Sequence, residues 1–286
     1  MSLGEERARP RGWPDTYGED AQPRMGFFTD TSLCIGCKAC EVACKEWNQL
    51  PTDDFGFKGH SYDNTDRLSA NTWRHVAFIE QRRERVGLDD DDEGGLRWLM
   101  SSDVCKHCTT AACLDVCPTG ALFRTEFGTV VVQDDVCNGC GMCVPACPFG
   151  VIERREDDGR AWKCTLCYDR LKDGLEPACA KACPTDSIMF GPVEDLREVA
   201  VGRLEDVKRA GEPDAQLYLH GADDGVDGAG AFFLLLDEPE VYGLPPDPIA
   251  PTKDLRGIWG AVAGAAATIA LGVAAATVGT TRRGRR

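Results

Sequence analysis

The amino-acid sequence lacks the features of several common protein classes. Residues 1–24 contain no apolar stretch, so we expect a tail that wraps a partner or stays mobile, and no secretory signal. The sequence has no G-x-S-x-G motif for a nucleophilic serine and no G-x-x-x-x-G-K-[ST] phosphate loop, which argues against an enzyme acting on its own. The formal net charge of −15 argues against nucleic-acid binding, which depends on Lys and Arg.

No cysteine lies outside four tight groups. The third group reads C-x2-C-x2-C-x3-C-P, the run that holds 4Fe–4S clusters in bacterial ferredoxins. Three groups continue in a similar way, as CPTGALF, CPFGVIE and CPTDSIM, which indicates a duplicated ferredoxin unit. The sequence therefore predicts four 4Fe–4S clusters and an electron-conducting protein. The groups are Cys34, Cys37, Cys40, Cys44; Cys105, Cys108, Cys113, Cys117; Cys137, Cys140, Cys143, Cys147; and Cys164, Cys167, Cys179, Cys183.

Zinc and disulfide bonds are the alternatives for so many cysteines. Structural zinc takes four ligands from two C-x2-C pairs and has no use for a third and fourth cysteine close behind. Disulfides need Cα atoms in a narrow distance window and an oxidising compartment. Four agreeing motifs with no stray cysteine favour clusters over both.

Glycines and lysines next to the cysteine groups suit a cluster. Gly36, Gly139 and Gly141 lie inside the loops, where a missing Cβ allows close approach of the backbone and a positive φ. Four lysines beside the ligands either offset the negative charge of the clusters or are ordinary solvated side chains. These lysines are Lys38, Lys45, Lys106 and Lys163.

Hydrophobic patterns predict short elements around the cysteine groups. Strands are expected at 25–30, 73–80, 217–219 and 232–236, a hairpin at 121–132, and a helix that starts at Pro192 and runs to about 209. The acidic run at 89–93 is interpreted as an exposed loop. The predicted organisation is a tail at 1–24, a cluster domain at 25–191 with an insertion at 46–104, an extension at 192–256, an apolar helix at 257–281 and a basic tail at 282–286.

The apolar segment 257–281 contains no charge and is long enough to cross a bilayer. Gly260 and Gly264 form a G-x-x-x-G face suited to close helix packing, and Trp259 lies at one end, where interfacial aromatics occur. A buried helix of a soluble protein is the alternative. We call the cluster domain and its extension, residues 25–256, the head. The four arginines that follow the apolar segment favour a cytoplasmic C-terminus with the head outside; they are Arg282, Arg283, Arg285 and Arg286.

Three stretches, GFFTDTSLCIGCKACEVACKEWN, WKCTLCYDRL and PEVYGLP, resemble the iron–sulfur β subunit of membrane-bound formate dehydrogenase. The cysteine groups also match the wider family of electron-transfer subunits of molybdopterin oxidoreductases. The resemblance runs from about residue 25 to the C-terminus. It implies an α+β fold, a duplicated dicluster-ferredoxin fold with one C-terminal transmembrane helix.

The resemblance also implies how the cysteines are shared, since the first group pairs with the fourth and the second with the third. We name the four resulting ligand sets by letters. Set A is Cys34, Cys37, Cys40 and Cys183; set B is Cys44, Cys164, Cys167 and Cys179; set C is Cys105, Cys108, Cys113 and Cys147; set D is Cys117, Cys137, Cys140 and Cys143.

The resemblance further implies two partner subunits and places this chain in the cell membrane. A catalytic subunit with a molybdenum or tungsten pterin oxidises formate, and a membrane cytochrome b subunit passes electrons to quinone. The folded head is exported with a partner that carries a twin-arginine signal. Alternatives are the same module in a sulfoxide, polysulfide or nitrate reductase, with electrons flowing the other way, or in a membrane hydrogenase.

Overall fold

A computed structural model describes residues 16–53, 56–59, 62–82, 96–221 and 223–283. The acidic run at 89–93, most of the N-terminal tail and the last two arginines lie outside these residues. The strands are β1 Met25–Asp30, β2 Arg74–Arg82, β3 Leu96–Val104, β4 Leu122–Arg124, β5 Val130–Val132, β6 Glu153–Arg154, β7 Ala161–Trp162, β8 Ile188–Pro192, β9 Gln216–Tyr218 and β10 Ala231–Leu235. The α-helices are α1 Ala39–Asn48, α2 Ala112–Asp115, α3 Cys143–Ala146, α4 Tyr168–Lys172, α5 Ala178–Lys181, α6 Val193–Arg209 and α7 Leu255–Arg283.

A four-stranded sheet in the order β8-β1-β10-β9 holds the two ends of the head together. Strand β1 pairs antiparallel with β8 and parallel with β10. All five residues of β10 are buried, and Phe28 of β1 stacks on Phe232 of β10 with 5.4 Å between ring centroids. The cysteine-free extension therefore supplies an inner strand of this sheet.

Three two-stranded hairpins carry the rest of the strands. The long β2–β3 hairpin belongs to the insertion, while β4–β5 and β6–β7 follow the second and third cysteine groups. The predicted strands at 25–30 and 73–80, the hairpin at 121–132 and the helix to 209 are confirmed within two residues. The two strands predicted in the extension are confirmed within one residue.

The described part of the N-terminal tail lies against the β4–β5 hairpin. The Tyr17 hydroxyl donates to the carbonyl oxygen of Arg124 at 2.7 Å, and the Gln22 amide donates to the carbonyl oxygen of Glu126 at 2.9 Å. These contacts fix residues 17–22 on the head.

Helix α7 is long and apolar, and it stands clear of the head. Residues Gly257–Ala275 have a mean hydropathy of 1.8, and none of this segment is buried inside the protein. By length and composition it is a candidate membrane span.

Candidate functional site

The thiols of set A line a small cavity between the end of β1 and the start of β8. Gly36 forms part of its wall with a φ of 65°. A Cβ at this position would lie 2.6 Å from Met100 Sδ and 2.7 Å from Phe78 Cε1. The loop therefore needs glycine both for its backbone conformation and for its close approach to the β2–β3 hairpin. The cavity is lined by Cys34, Cys37, Cys40 and Cys183.

The thiols of set C line a second small cavity. Its wall also includes two lysines and the aromatic ring of Phe149. Burial raises the pKa of Cys113 to about 12, although the charge of Lys163 opposes that rise. The cavity is lined by Cys105, Cys108, Cys113 and Cys147.

The thiols of sets B and D are close enough to act on one another's pKa. Burial raises the pKa of Cys44 well above its usual value, and the other three thiols of set B add to the rise. Burial likewise raises the pKa of Cys143 to about 11, and the other three thiols of set D act on it in the same direction. The structure thus brings together each predicted foursome, while the bond from each thiol to a particular iron stays a prediction.

This donor set fits a cubane cluster. Backbone amides already donate to cysteine sulfurs, from Leu166 to Cys164 Sγ at 3.3 Å and from Ala161 to Cys137 Sγ at 3.4 Å, as occurs around cluster sulfurs. Within the described ranges, no three His, Cys, Asp or Glu side chains lie close enough to hold one metal ion. In sets A and C the thiols instead surround a cavity, the space that a cluster core fills.

Successive sets are close enough for their thiols to shift one another's pKa, and we call the series A, B, C, D the line of sets. Cys40 of set A feels the charge of Cys179 in set B, which adds to the effect of burial in raising its pKa. Burial and then Cys105 of set C raise the pKa of Cys164 in set B. Cys143 of set D acts in the same direction on Cys113 of set C, after burial. Set B is therefore next to set A, set C is next to set B, and set D is next to set C.

The two ends of this line reach the protein surface. Among the sixteen cysteines only Cys37 of set A and Cys140 of set D are exposed, whereas all four thiols of set B are buried. The line therefore has an opening at each end and a protected middle.

The predicted lysines differ in their surroundings. Lys38 pairs with Glu41 at 3.1 Å and Asp63 at 2.8 Å, and Lys45 lies 3.6 Å from Asp53. Lys106 is fully buried and pairs with Asp103. Lys163 is also buried, and its Nζ donates to the carbonyl oxygens of Val130 and Cys164. Only these last two lysines are inside the protein beside the thiols.

A buried cation beside the thiols, Arg74 on β2, was not predicted from the sequence. Its side chain is buried, and its Nη2 donates to Cys179 Sγ at 3.3 Å. Burial opposes the charged form, but the thiolates of Cys179, Cys40 and Cys164 outweigh it and raise the pKa of Arg74. No sequence signal marks this residue, since it lies far along the chain from every cysteine it contacts.

Comparison with known proteins adds an independent line of evidence. Two family models described as 4Fe-4S dicluster domain match residues 33–121 and 96–193. The chain is 39% identical over 239 residues to the nitrate-inducible formate dehydrogenase iron-sulfur subunit of Escherichia coli (strain K12), covering 82% of this chain and 77% of that protein. It is 39% identical over 268 residues to the formate dehydrogenase-O iron-sulfur subunit of the same organism, covering 91% and 85%. A shorter match, 38% over 177 residues and 61% of this chain, joins it to one polypeptide of the anaerobic dimethyl sulfoxide reductase of the same organism.

Proposed function

We propose that the protein, which belongs to the family of formate dehydrogenase iron–sulfur subunits, receives electrons from a molybdopterin catalytic subunit that oxidises formate. It then passes these electrons to a membrane cytochrome b subunit and on to quinone. The main support for this proposal is the line of four neighbouring thiol sets, with an exposed cysteine in set A and another in set D. When bound, the 4Fe–4S clusters take up and release single electrons. The chain holds all four with its sixteen cysteines, divided into sets A to D.

The position of helix α7 supports a direction for this line. Just before the helix, the Thr252 hydroxyl donates to Asp115 Oδ2 at 2.5 Å. Asp115 lies between Cys113 of set C and Cys117 of set D. Lys253 also pairs with Asp227 at 2.8 Å, which fixes the start of the helix on this side of the head. Set D therefore faces the membrane subunit, and set A faces the catalytic subunit.

Exposed apolar side chains at each end suit these two contacts. Ile35 and Val42 are 59% and 61% exposed beside set A, and Met142 is 55% exposed beside set D. Exposed apolar surface of this kind marks protein interfaces. Ile35→Glu is expected to weaken binding of the catalytic subunit, and Met142→Glu to weaken binding of the membrane subunit. Co-purification with each partner subunit measures both effects. If Ile35→Glu instead weakened binding of the membrane subunit and Met142→Glu that of the catalytic subunit, the proposed direction of electron flow through the line would be reversed.

The substrate is tested on the complex purified anaerobically in mild detergent. Formate should reduce the iron–sulfur signals in electron paramagnetic resonance spectra, and a quinone analogue should oxidise them again. A preparation without the membrane subunit should be reduced by formate but not oxidised by the quinone. Signals that stay oxidised with formate, while the catalytic subunit still reduces a dye, would refute the electron route.

A sulfoxide reductase is the second candidate, favoured by the match to the dimethyl sulfoxide reductase polypeptide. The formate dehydrogenase relatives match 82% to 91% of this chain, including residues beyond the shorter match. Reoxidation of the reduced complex by dimethyl sulfoxide, with no reduction by formate, would favour this candidate instead.

Helix α7 is proposed to cross the membrane once. Truncation after Lys253 should release the head from membranes that lack the catalytic partner, whereas the full chain should need detergent. The arginine tail supports an external head. Protease added to intact spheroplasts should then digest the head, and protection of the head with exposure of a C-terminal tag would reverse this orientation.

A further inference from the structure

Arg74 is a buried cation at the junction of sets A and B. Its side chain is only 1% exposed. Nη2 donates to Cys179 Sγ of set B at 3.3 Å, and Nη1 donates to the carbonyl oxygen of Ser102 at 3.2 Å and to its hydroxyl oxygen at 3.4 Å. The Ser102 hydroxyl in turn lies 3.3 Å from Cys40 Sγ of set A. One guanidinium is therefore linked directly to one set and through a single hydroxyl to the other.

The described residues provide no carboxylate within ion-pairing distance of Arg74. Its Nε is buried without a hydrogen-bond partner, and the ring of Phe27 lies 4.7 Å from the guanidinium carbon. A buried charge without compensation is strongly destabilising. The negative charge nearest to Arg74 is that of the cysteine ligands, so the guanidinium is balanced only when these are thiolates around a cluster.

We propose that Arg74 is a potential-setting residue, whose fixed positive charge favours the reduced forms of the clusters held by sets A and B over their oxidised forms. This inference rests on the ligand sets proposed above. Reduction adds one electron to a cluster, so its site becomes one unit more negative. The guanidinium neither gains nor loses a proton, because arginine stays protonated in proteins. The electron comes from the catalytic subunit and leaves toward set C.

The location of the charge gives the proposal a specific signature. The Coulomb energy between two charges falls as the inverse of the distance between them. Arg74 touches set B and reaches set A through Ser102, whereas sets C and D lie farther along the line. Removing the charge should therefore make the reduction potentials of the clusters in sets A and B distinctly more negative and shift those of sets C and D less.

The test is a redox titration of the intact complex, followed by electron paramagnetic resonance. Arg74→Gln removes the charge but keeps an N–H donor for Cys179, and Arg74→Lys keeps the charge without the planar fork. The matched control is Arg97→Met on the neighbouring strand β3, which breaks the 2.7 Å ion pair between Arg97 and Glu212. Arg74→Gln should shift the oxidised-to-reduced ratio of two couples about tenfold toward the oxidised form at a fixed potential, or 59 mV for one electron. Arg74→Lys and Arg97→Met should shift it much less.

Iron analysis of every variant distinguishes an error in the ligand sets from an error in the role of Arg74. Four couples in the wild-type complex support the ligand sets, and fewer would contradict them before Arg74 is considered. Unchanged potentials in an iron-replete Arg74→Gln complex would overturn the role of Arg74 alone. If Arg74→Gln loses iron while Arg74→Lys retains it, the requirement for the charge is supported. Equal iron loss in both would assign Arg74 to packing and overturn the proposal.

Discussion

Gly139, in the loop that carries three thiols of set D, is a sensitive position for cluster retention. Its φ is +73°, and an added Cβ would lie 2.5 Å from the carbonyl oxygen of Gly159. Gly174 has a similar φ of +68°, but nothing lies within 4 Å of the position that its Cβ would take. A substitution therefore has the same conformational cost at both glycines. Only at Gly139 does the added Cβ also collide with neighbouring backbone.

The expected cost of each substitution follows from this difference. Placing alanine in the left-handed region costs about 1–2 kcal/mol at either site. At Gly139 the carbonyl of Gly159 must also move, and overpacking of this kind adds about 1–3 kcal/mol. Gly139→Ala is thus expected to cost about 2–5 kcal/mol in total, and Gly174→Ala about 1–2 kcal/mol.

The assay is iron content per chain after anaerobic purification of the complex, followed by iron release on warming. Gly174→Ala should retain iron close to the wild-type value. Gly139→Ala should lose at least the cluster of set D, about four irons of about sixteen. A Gly139→Ala complex with full iron content and the same release temperature as Gly174→Ala would refute the close-approach argument.

Three further predictions concern the sheet, the helix and the shared ligands. Gly26→Ala should lower the thermal stability of the complex, because its Cβ would lie 2.1 Å from the Gly230 carbonyl oxygen. Gly202→Ala in helix α6 meets nothing within 4 Å and should raise stability by about 0.5–1 kcal/mol. Melting curves of the two variants should therefore shift in opposite directions, and equal shifts would contradict this prediction. Gly264→Leu should weaken co-purification with the membrane subunit more than Ala266→Leu on the opposite face of α7, and equal effects would exclude a G-x-x-x-G contact. Cys140→Ala should lose iron and protease resistance together, so a resistant chain with three intact clusters would disprove their coupling.

The sequence predicted the local parts of this fold well, because local patterns determine them. Strand β1 occupies Met25–Asp30 and helix α6 ends at Arg209, both as expected. The cysteine spacing likewise identified all sixteen thiols that the structure gathers into foursomes. The sharing of cysteines between distant groups came from the family resemblance, since spacing alone leaves the fourth partner of each loop open.

Long-range contacts could not be predicted in this way. The pairing of β1 with β10 inserts a strand from the cysteine-free extension into the sheet, and nothing in either strand specifies its partner. The alternating pattern at 73–80 predicted strand β2 but could not show that Arg74 is buried among thiols. Its surroundings come from α1, β3 and α5, which meet only in the folded chain.

The number of one-electron iron–sulfur centres per chain in the intact complex tests the proposed electron route most sharply. An anaerobic redox titration, combined with iron and sulfide analysis of the same sample, measures this number. Four reducible 4Fe–4S centres are expected in this chain, with about sixteen irons and about sixteen sulfides. About eight irons, or zinc in place of iron, would contradict this expectation.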